Sequence, residues 1–181
     1  PVRTTMPRSE ALLLALMASE NRAAHALART SPQGIVNFIR KMNEKAKSLG
    51  MHQTHFDDPT GLSPSNVSTA KDLSILLSAA SKYSEIRKCS TTETYDFKHR
   101  NHQIAYHNTN PLVLSDDWNI GVSKTGYTQE AGRCLVMQAH VQNRPLRIVL
   151  LDSQSKNARI QDAIKIKQWI LAGGPSIKEK A

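Results

Sequence analysis

Two short groups of polar residues, far apart in the chain, combine side chains that can do chemistry. Ser19-Glu20-Asn21 lies at a predicted junction between two helices, where Ser19 and Asn21 can both face a cleft. Lys124-Thr125-Gly126 lies on a predicted strand. Its lysine supplies a fixed positive charge, its threonine supplies a hydroxyl donor, and its glycine lets a ligand lie against the strand. Together they suit a substrate that ends in a carboxylate.

Each motif alone also has a purely structural interpretation. Ser19 can be the N-cap of the helix that follows it, a position where serine is common. Lys-Thr-Gly taken alone is a tripeptide that edge strands contain by chance. The two motifs in this order, one at a helix junction and the other on a strand, are jointly much more specific.

Regular spacing of apolar residues predicts that the first part of the chain is helical. A helix over 8–17 is apolar almost all round, so we expect it to be buried on most of its faces. A second, shorter helix covers 22–29. A third begins with Ser31 as its N-cap and a proline in its first turn, and it ends at Gly50.

A loop, another helix and a hairpin are predicted next. The loop over 51–67 holds prolines, a glycine and small polar residues, which is typical of an ordered connection. Thr69 and Asp72 are spaced as a capping box at the start of the following helix. Weak alternation over 91–106 predicts a hairpin.

The rest of the chain is predicted to form an antiparallel sheet and a final helix. Strands over 119–125, 133–141 and 145–152 are joined by short turns, so neighbouring strands must be antiparallel. Ser155 caps the last helix, which ends at Gly173-Gly174. Helices, then a sheet, then a packing helix indicate an α+β fold. We expect one domain over 1–181, with 173–181 as a C-terminal tail.

The composition excludes several classes of protein. The chain is 39% apolar, and no apolar run is long enough to form a membrane helix, so we expect no transmembrane segment. A net charge of +9 favours an anionic partner, such as nucleic acid, anionic lipid or an acidic wall polymer. Because the basic residues are scattered and aromatic residues are few beyond Tyr106, we expect no nucleic-acid partner.

The cysteines and histidines do not form a convincing metal site. Cys89 and Cys134 give no Cys-x-x-Cys pattern; one long-range disulfide is possible, but two buried free thiols are favoured. Two histidine pairs lie in loops without nearby cysteine or acidic ligands, and we interpret them as surface residues: His52 with His55, and His99 with His102. We expect neither a metal nor another cofactor.

Longer stretches around the motifs resemble a known family. They are His55-Phe56-Asp57-Asp58-Pro59-Thr60-Gly61-Leu62 running on to Asn66-Val67-Ser68-Thr69-Ala70-Lys71-Asp72-Leu73, and Lys124-Thr125-Gly126-Tyr127-Thr128 followed by Ala131-Gly132-Arg133. Here the chain resembles the low-molecular-mass penicillin-binding proteins of the D-alanyl-D-alanine carboxypeptidase and endopeptidase family. The similarity spans 1–172. It implies the fold of serine β-lactamases and D,D-peptidases, in which helices flank an antiparallel sheet.

The family has three motifs in fixed order: Ser-x-x-Lys, Ser-x-Asn and Lys-Thr-Gly. Residues 1–18 contain no Ser-x-x-Lys. Two later stretches fit the pattern, at 68–71 and 153–156, but both follow Ser-x-Asn and are interpreted as a helix cap and a turn. The resemblance therefore implies that the nucleophilic serine and its lysine precede Pro1, with the family's opening helix and two strands. We expect an incomplete D,D-peptidase domain whose upstream segment carries the nucleophile.

The resemblance implies catalytic roles for Ser19 and Asn21. The upstream serine would attack the carbonyl of a D-alanyl peptide bond and give an acyl-enzyme that water later hydrolyses. Ser19 would relay a proton to the departing amine. Asn21 would hold a substrate backbone amide and the head group of the upstream lysine.

The resemblance also implies that 124–127 bind the substrate. Lys124 would sustain a positive field and, with Thr125, hold the substrate carboxylate. Gly126 would allow the substrate to approach closely. The backbone N–H of Tyr127 would supply half of an oxyanion hole.

We therefore expect a periplasmic serine D,D-endopeptidase that cleaves D-alanyl cross-links of peptidoglycan peptides and is inhibited by β-lactams. Two features favour an endopeptidase over a D,D-carboxypeptidase that removes terminal D-alanine. One is Tyr127, and the other is that the chain ends soon after the last helix, without a second domain or anchor. A class A β-lactamase would need a Glu-x-x-Leu-Asn motif, which the sequence lacks. The alternative from another class is a non-catalytic module that binds the wall through its basic surface.

Overall fold

The computed structural model describes residues 5–99 and 102–174, and the side chains of 5–98 and 103–174. The helices in this part are α1 (Arg8–Met17), α2 (Asn21–Arg29), α3 (Gly34–Ser48), α4 (Ala70–Ala80), α5 (Ser84–Thr91) and α6 (Lys156–Leu171). The strands are β1 (Thr94–His99), β2 (His102–His107), β3 (Asn119–Thr128), β4 (Gly132–Val141) and β5 (Arg144–Ser153). A short 3-10 helix, Pro111–Leu114, precedes β3.

The first two helices are confirmed, but α1 is less buried than its sequence predicts. Its buried residues recur every three positions: Ala11, Leu14 and Met17. This spacing places them on one face, which packs with α2 and the β1–β2 hairpin. Leu12, Leu13 and Leu16 are only half-buried. The expectation of burial on most faces is therefore wrong for the described residues.

Helix α3 ends as predicted but begins later. Its N-cap is Gln33, and the Ser31 hydroxyl donates to the Gly34 carbonyl at 3.1 Å instead of accepting from a helix amide, so the predicted cap is wrong. At the other end Gly50 has φ +82°. The amides of Gly50 and Met51 donate to the carbonyls of Lys47 and Ala46, both at 3.0 Å. These two bonds form a Schellman motif, which requires the left-handed conformation that glycine adopts at little cost.

Helix α4 has one half of the predicted capping box. The Thr69 hydroxyl accepts from the Asp72 amide at 3.2 Å, so Thr69 is the N-cap. The Asp72 carboxylate does not accept a hydrogen bond from the Thr69 backbone amide, as a full capping box requires. It accepts from the Gln53 amide and the Thr54 hydroxyl, each at 2.8 Å, and so ties the loop before α4 to the helix.

The strands form two separate antiparallel sheets within the described part of the chain. β1 and β2 make the predicted hairpin, and β3, β4 and β5 make a sheet in the order β3-β4-β5. The predicted strands of this sheet are confirmed, each somewhat longer than predicted. Opposite residues include Lys124 with Val136 and Gly126 with Cys134. Helices together with antiparallel sheets confirm the α+β class.

Two apolar cores support the two halves of the fold. One lies between the β3-β4-β5 sheet and α6, and its buried residues are Leu112, Leu135, Met137, Ile148 and Ala163. The other joins α1 and α2 to the β1–β2 hairpin through Ala11, Leu14, Ala23 and Phe97. α5 connects the halves, because the hydroxyl of its buried Ser90 accepts from the Ser123 amide of β3 at 3.3 Å.

The C-terminal end of the chain is described only in part. α6 begins at the predicted cap, where the Ser155 hydroxyl accepts from the Ala158 amide at 2.9 Å. The predicted tail lies mostly in 175–181, outside the described residues, and a single domain over 1–181 stays a prediction. None of the helices described is long and apolar enough to cross a membrane.

Candidate active site

Ser19 occupies a sharp turn between α1 and α2. Its φ of +54° lies in the left-handed region, which residues with a Cβ seldom adopt outside constrained sites. The turn is fixed because the Glu20 amide donates to the Leu14 carbonyl at 3.1 Å. Glu20 is the N-cap of α2, since its carboxylate accepts from the Arg22 amide at 3.1 Å. The interpretation of Ser19 as the N-cap is therefore wrong, and its hydroxyl is used elsewhere.

Lys124 brings the two motifs together. From β3 its ammonium donates to the Ser19 hydroxyl, and it also donates to the Thr125 carbonyl at 2.6 Å. Burial lowers the pKa of Lys124 to about 8, and the nearby positive charge of Arg159 contributes to the same shift. A lysine with this pKa is largely protonated at neutral pH, yet it can give up its proton more readily than an exposed lysine.

Thr125 is fixed by a chain of hydrogen bonds that ends at α1. Its hydroxyl donates to the Thr109 hydroxyl at 2.7 Å, and the Thr109 amide donates to the Met17 carbonyl at 3.1 Å. Thr125 is 7% exposed. Thr109 was not a predicted site residue, and its place in the loop after β2 gave no signal in the sequence.

A cleft of about 570 Å³ contains all the predicted site residues. It is lined by Ser19, Asn21, Thr60, Gly61, Leu62, Thr109, Lys124, Thr125, Gly126, Tyr127, Arg133, Lys156 and Arg159. Asn21 is the first residue of α2 and is exposed. Gly126 and Tyr127 are exposed on β3, which is an edge strand of the described sheet. An edge strand has backbone groups free to pair with an extended peptide.

Arg159 lines the cleft although it was not predicted as a site residue. It is 6% exposed, and its Nη1 donates to the carbonyls of Gly126 at 3.3 Å and Cys134 at 3.0 Å. Its Nε is buried without a hydrogen-bond partner among the described residues. Burial lowers the pKa of Arg159, as does the charge of Arg133. The sequence offers one signal for this residue: Arg159 lies one helical turn before Ala163, so it is an arginine on the apolar face of the last helix.

The wall of the cleft opposite β3 is a loop organised by one carboxylate. Asp58 accepts six hydrogen bonds, from the amides of Thr60, Gly61, Leu62 and Ser63, the Thr60 hydroxyl and the Asn66 side-chain amide. Burial would raise its pKa, but the bonds from Thr60, Asn66 and the backbone lower it to about 2. Asp58 therefore stays ionised and holds Thr60, Gly61 and Leu62 in place.

Neither serine of the two later Ser-x-x-Lys stretches lines this cleft. The Ser68 hydroxyl is hydrogen-bonded to the Thr54 hydroxyl at 2.8 Å, and Thr69 rather than Ser68 caps α4. Ser153 is the last residue of β5 and does not line the cleft, although Lys156 does.

The cysteines are free, as favoured by the sequence, but half-buried rather than buried. Burial raises the pKa of Cys89. Among the residues that the structure describes, no group of three or more His, Cys, Asp or Glu side chains could hold a metal ion. The side chains of His99 and His102 lie outside those described.

Comparisons with known proteins agree with this architecture. A family model described as D-alanyl-D-alanine carboxypeptidase matches residues 2–155. The chain is 46% identical over 174 residues to a D-alanyl-D-alanine endopeptidase of Escherichia coli, covering 95% of this chain and 56% of that relative. It therefore spans little more than half the length of this relative.

Solved structures share the same arrangement of elements. A Streptomyces DD-transpeptidase superposes with a TM-score of 0.83 at 33% identity, covering 91% of this chain and 67% of that one. A cefotaxime-bound penicillin-binding protein from Listeria monocytogenes superposes with a TM-score of 0.79 at 28% identity, covering 92% of this chain and 67% of that one.

Proposed function

The chain belongs to the D-alanyl-D-alanine carboxypeptidase family of peptidases, and we propose that its protein is a serine D,D-endopeptidase of the bacterial periplasm. Its substrates are the D-alanyl cross-links between peptidoglycan peptides, and β-lactams acylate it as inhibitors. The observation that carries the proposal is the contact of the Lys124 ammonium with the Ser19 hydroxyl, inside a cleft that also contains Asn21 and Gly126.

The proposed reaction is acyl transfer through a serine. The nucleophilic serine and its lysine come from a part of the protein outside these 181 residues, because neither later Ser-x-x-Lys stretch is suitably placed. The serine oxygen bonds to the D-alanyl carbonyl carbon, the peptide C–N bond breaks, and the departing amine takes up a proton. Water then hydrolyses the ester and restores the serine.

Ser19 is suited to deliver that proton. Its hydroxyl accepts a hydrogen bond from Lys124, so its own hydrogen remains free to point into the cleft. Lys124 keeps the electrostatic potential positive as negative charge develops in the transition state. Asn21, exposed at the start of α2, supplies an amide that can bind the substrate backbone.

The substrate carboxylate is bound beside Lys124 and Arg159. Lys124 and Arg159 supply positive charge there, and the Thr125 hydroxyl, which donates to Thr109 in the free protein, can turn its hydrogen to the carboxylate. The unpaired Nε of Arg159 supports this assignment, because a buried donor without a partner is costly unless a ligand completes its hydrogen bonding. The backbone of Gly126 and Tyr127 lies on the edge strand β3, where an extended peptide can pair and the Tyr127 N–H can stabilise an oxyanion.

Cleavage of two peptides by the full-length protein separates the candidate functions. An endopeptidase converts cross-linked peptide dimers to monomers, whereas a D,D-carboxypeptidase releases D-alanine from pentapeptide monomers. We expect dimer cleavage to be the faster reaction, and we expect penicillin to block it. A non-catalytic wall-binding module would bind the peptides and convert neither.

Labelling with fluorescent penicillin tests the position of the nucleophile. We expect Ser68→Ala and Ser153→Ala to be labelled like the wild type, since neither serine is placed to be activated. Loss of label in either variant, with the fold intact, would place the nucleophile within this chain and contradict the proposed assignment.

A further inference from the structure

We propose that Arg133 and Lys156 form a second anion-binding subsite at the rim of the cleft, which binds a carboxylate of the leaving peptide other than the one beside the scissile bond. The inference rests on the proposed function, because it concerns which peptides the site cleaves. It assigns the cleft to substrates whose leaving group is a whole stem peptide with several carboxylates, rather than to those that lose a single D-alanine.

The first argument is the charge of the cleft. Four cationic side chains line it, Lys124, Arg133, Lys156 and Arg159, and no Asp or Glu does. In the part of the chain that the structure describes, carboxylates pair with Arg22, Arg40 and Lys165, so none of the four is neutralised. Like charges that converge on one cleft destabilise the free protein, and an anionic ligand relieves that repulsion.

A single carboxylate does not account for all four cations. Arg159 is buried and Lys124 is half-buried, and we assign these two cations to the carboxylate beside the scissile bond. Arg133 and Lys156 are then left without a ligand. Lys156 is the first residue of α6, where the helix dipole disfavours a cation, so helix stability does not explain its position.

Arg133 is held in a geometry that suits carboxylate binding. It lies on β4 directly opposite Tyr127 of β3, and its guanidinium carbon is 4.2 Å from the centroid of the Tyr127 ring. This cation–π contact restrains the guanidinium, whose N–H groups can make a bidentate contact with a carboxylate. Tyr127 is 59% exposed, so this subsite lies on the solvent side of the cleft, where a long leaving peptide would continue.

The test compares two forms of one substrate in the full-length enzyme. One is a cross-linked peptide dimer whose leaving stem carries its free carboxylates. The other has those carboxylates amidated and keeps only the one beside the scissile bond. In the wild type we expect kcat/KM to be about tenfold higher for the dimer with free carboxylates than for the amidated dimer. A factor of this size corresponds to the free energy of one partly exposed charge-assisted hydrogen bond.

Three variants locate the source of that ratio. Arg133→Gln should bring it to about one, and Lys156→Gln should lower it about threefold, because a lysine is a point charge without the bidentate fork. Arg147→Gln is the matched control: Arg147 is exposed on β5, opposite Gln138, and does not line the cleft. It should keep the wild-type ratio.

The outcomes separate the inference from the proposed function. If the wild type cleaves neither dimer, the proposed function fails and the inference fails with it. If it cleaves both dimers equally well, or if the ratio survives in both Arg133→Gln and Lys156→Gln, the second subsite is overturned while the proposed function stands. If Arg133→Gln melts well below the wild type, the exposed Lys156→Gln decides the question.

Discussion

The Lys124 ammonium donates a hydrogen bond to the Ser19 hydroxyl, although the two residues lie 105 positions apart in the sequence. The contact joins the turn after α1 to the edge strand of the sheet, so it connects the two halves of the fold across the cleft. It also explains why Ser19 keeps an unfavourable backbone conformation: at this turn its hydroxyl reaches Lys124, while Glu20 caps the next helix.

Replacing Lys124 should remove most of the reactivity with penicillin. We expect Lys124→Ala to lower the acylation rate of the full-length enzyme by about a hundredfold or more, because the charge acts mainly as the transition state develops. Stopped-flow acylation measures this effect, and circular dichroism checks the fold. Lys71→Ala, which removes an exposed lysine at the start of α4, is the control and should react normally. A loss of less than about fivefold would show that Lys124 does not have this role.

The low pKa of Lys124 predicts an alkaline limit to acylation. Its pKa of about 8 means that the positive charge disappears as the pH rises through that value. We expect the second-order acylation constant, which reports on the free enzyme, to fall with an apparent pKa near 8. The residual reaction of Lys124→Ala should lack this decline, which is the internal control. A wild-type constant that stays flat to about pH 10 would contradict the assignment.

The periodic parts of the fold were predictable from the sequence, and the side-chain networks were not. Alternation along 119–152 and short turns predicted the three-stranded sheet, because a pleated strand with one buried face must alternate. Helix starts were harder to predict. Ser31 has a side chain that can cap a helix, yet its hydroxyl donates to the Gly34 carbonyl, and α3 begins three residues after Ser31. Local sequence does not decide which of several available partners a hydroxyl takes.

The candidate site was predictable where residue order carried the information. Ser19, Asn21 and 124–127 were predicted from motif order, and the structure brings them into one cleft. Arg159 and Asp58 were missed because their surroundings form only in three dimensions. Arg159 donates to the Gly126 carbonyl from another element, and Asp58 accepts hydrogen bonds from the amides of a loop whose path the sequence does not reveal.

Asp58 should stabilise the loop in a pH-dependent manner. Its pKa of about 2 is below its ordinary value of 3.8, so its contribution is complete above 3.8 and is lost as the pH falls towards 2. We expect Asp58→Asn to lower the free energy of unfolding by about 1–2 kcal/mol at neutral pH, a figure reduced for the partial exposure of the group. The difference from wild type should shrink on acidification.

Urea unfolding of the full-length protein at neutral pH and at about pH 3 measures this difference. Asp116→Asn removes an exposed carboxylate before β3 and serves as the control, with little expected effect at either pH. An Asp58→Asn penalty that does not depend on pH would mean that the loop depends on the shape of the side chain rather than on its charge.

Any residue larger than glycine at Gly132, at the start of β4, should destabilise the protein. Its φ is +62°, and a Cβ at this position would lie 2.9 Å from the Cα of Asp152, which is backbone and cannot move aside independently. Gly50 has a similar φ of +82° but open space around it. Gly50→Ala should therefore cost only the conformational penalty, about 1 kcal/mol, whereas Gly132→Ala should cost about 2 kcal/mol more because β4 and β5 must separate. Thermal unfolding of both variants measures the difference. Equal melting temperatures for the two variants would show that the close approach of Asp152 is relieved without cost.

Because Arg133 follows Gly132 directly, we also expect Gly132→Ala to weaken the stacking of Arg133 on Tyr127 and to reduce the preference for carboxylate-bearing dimers.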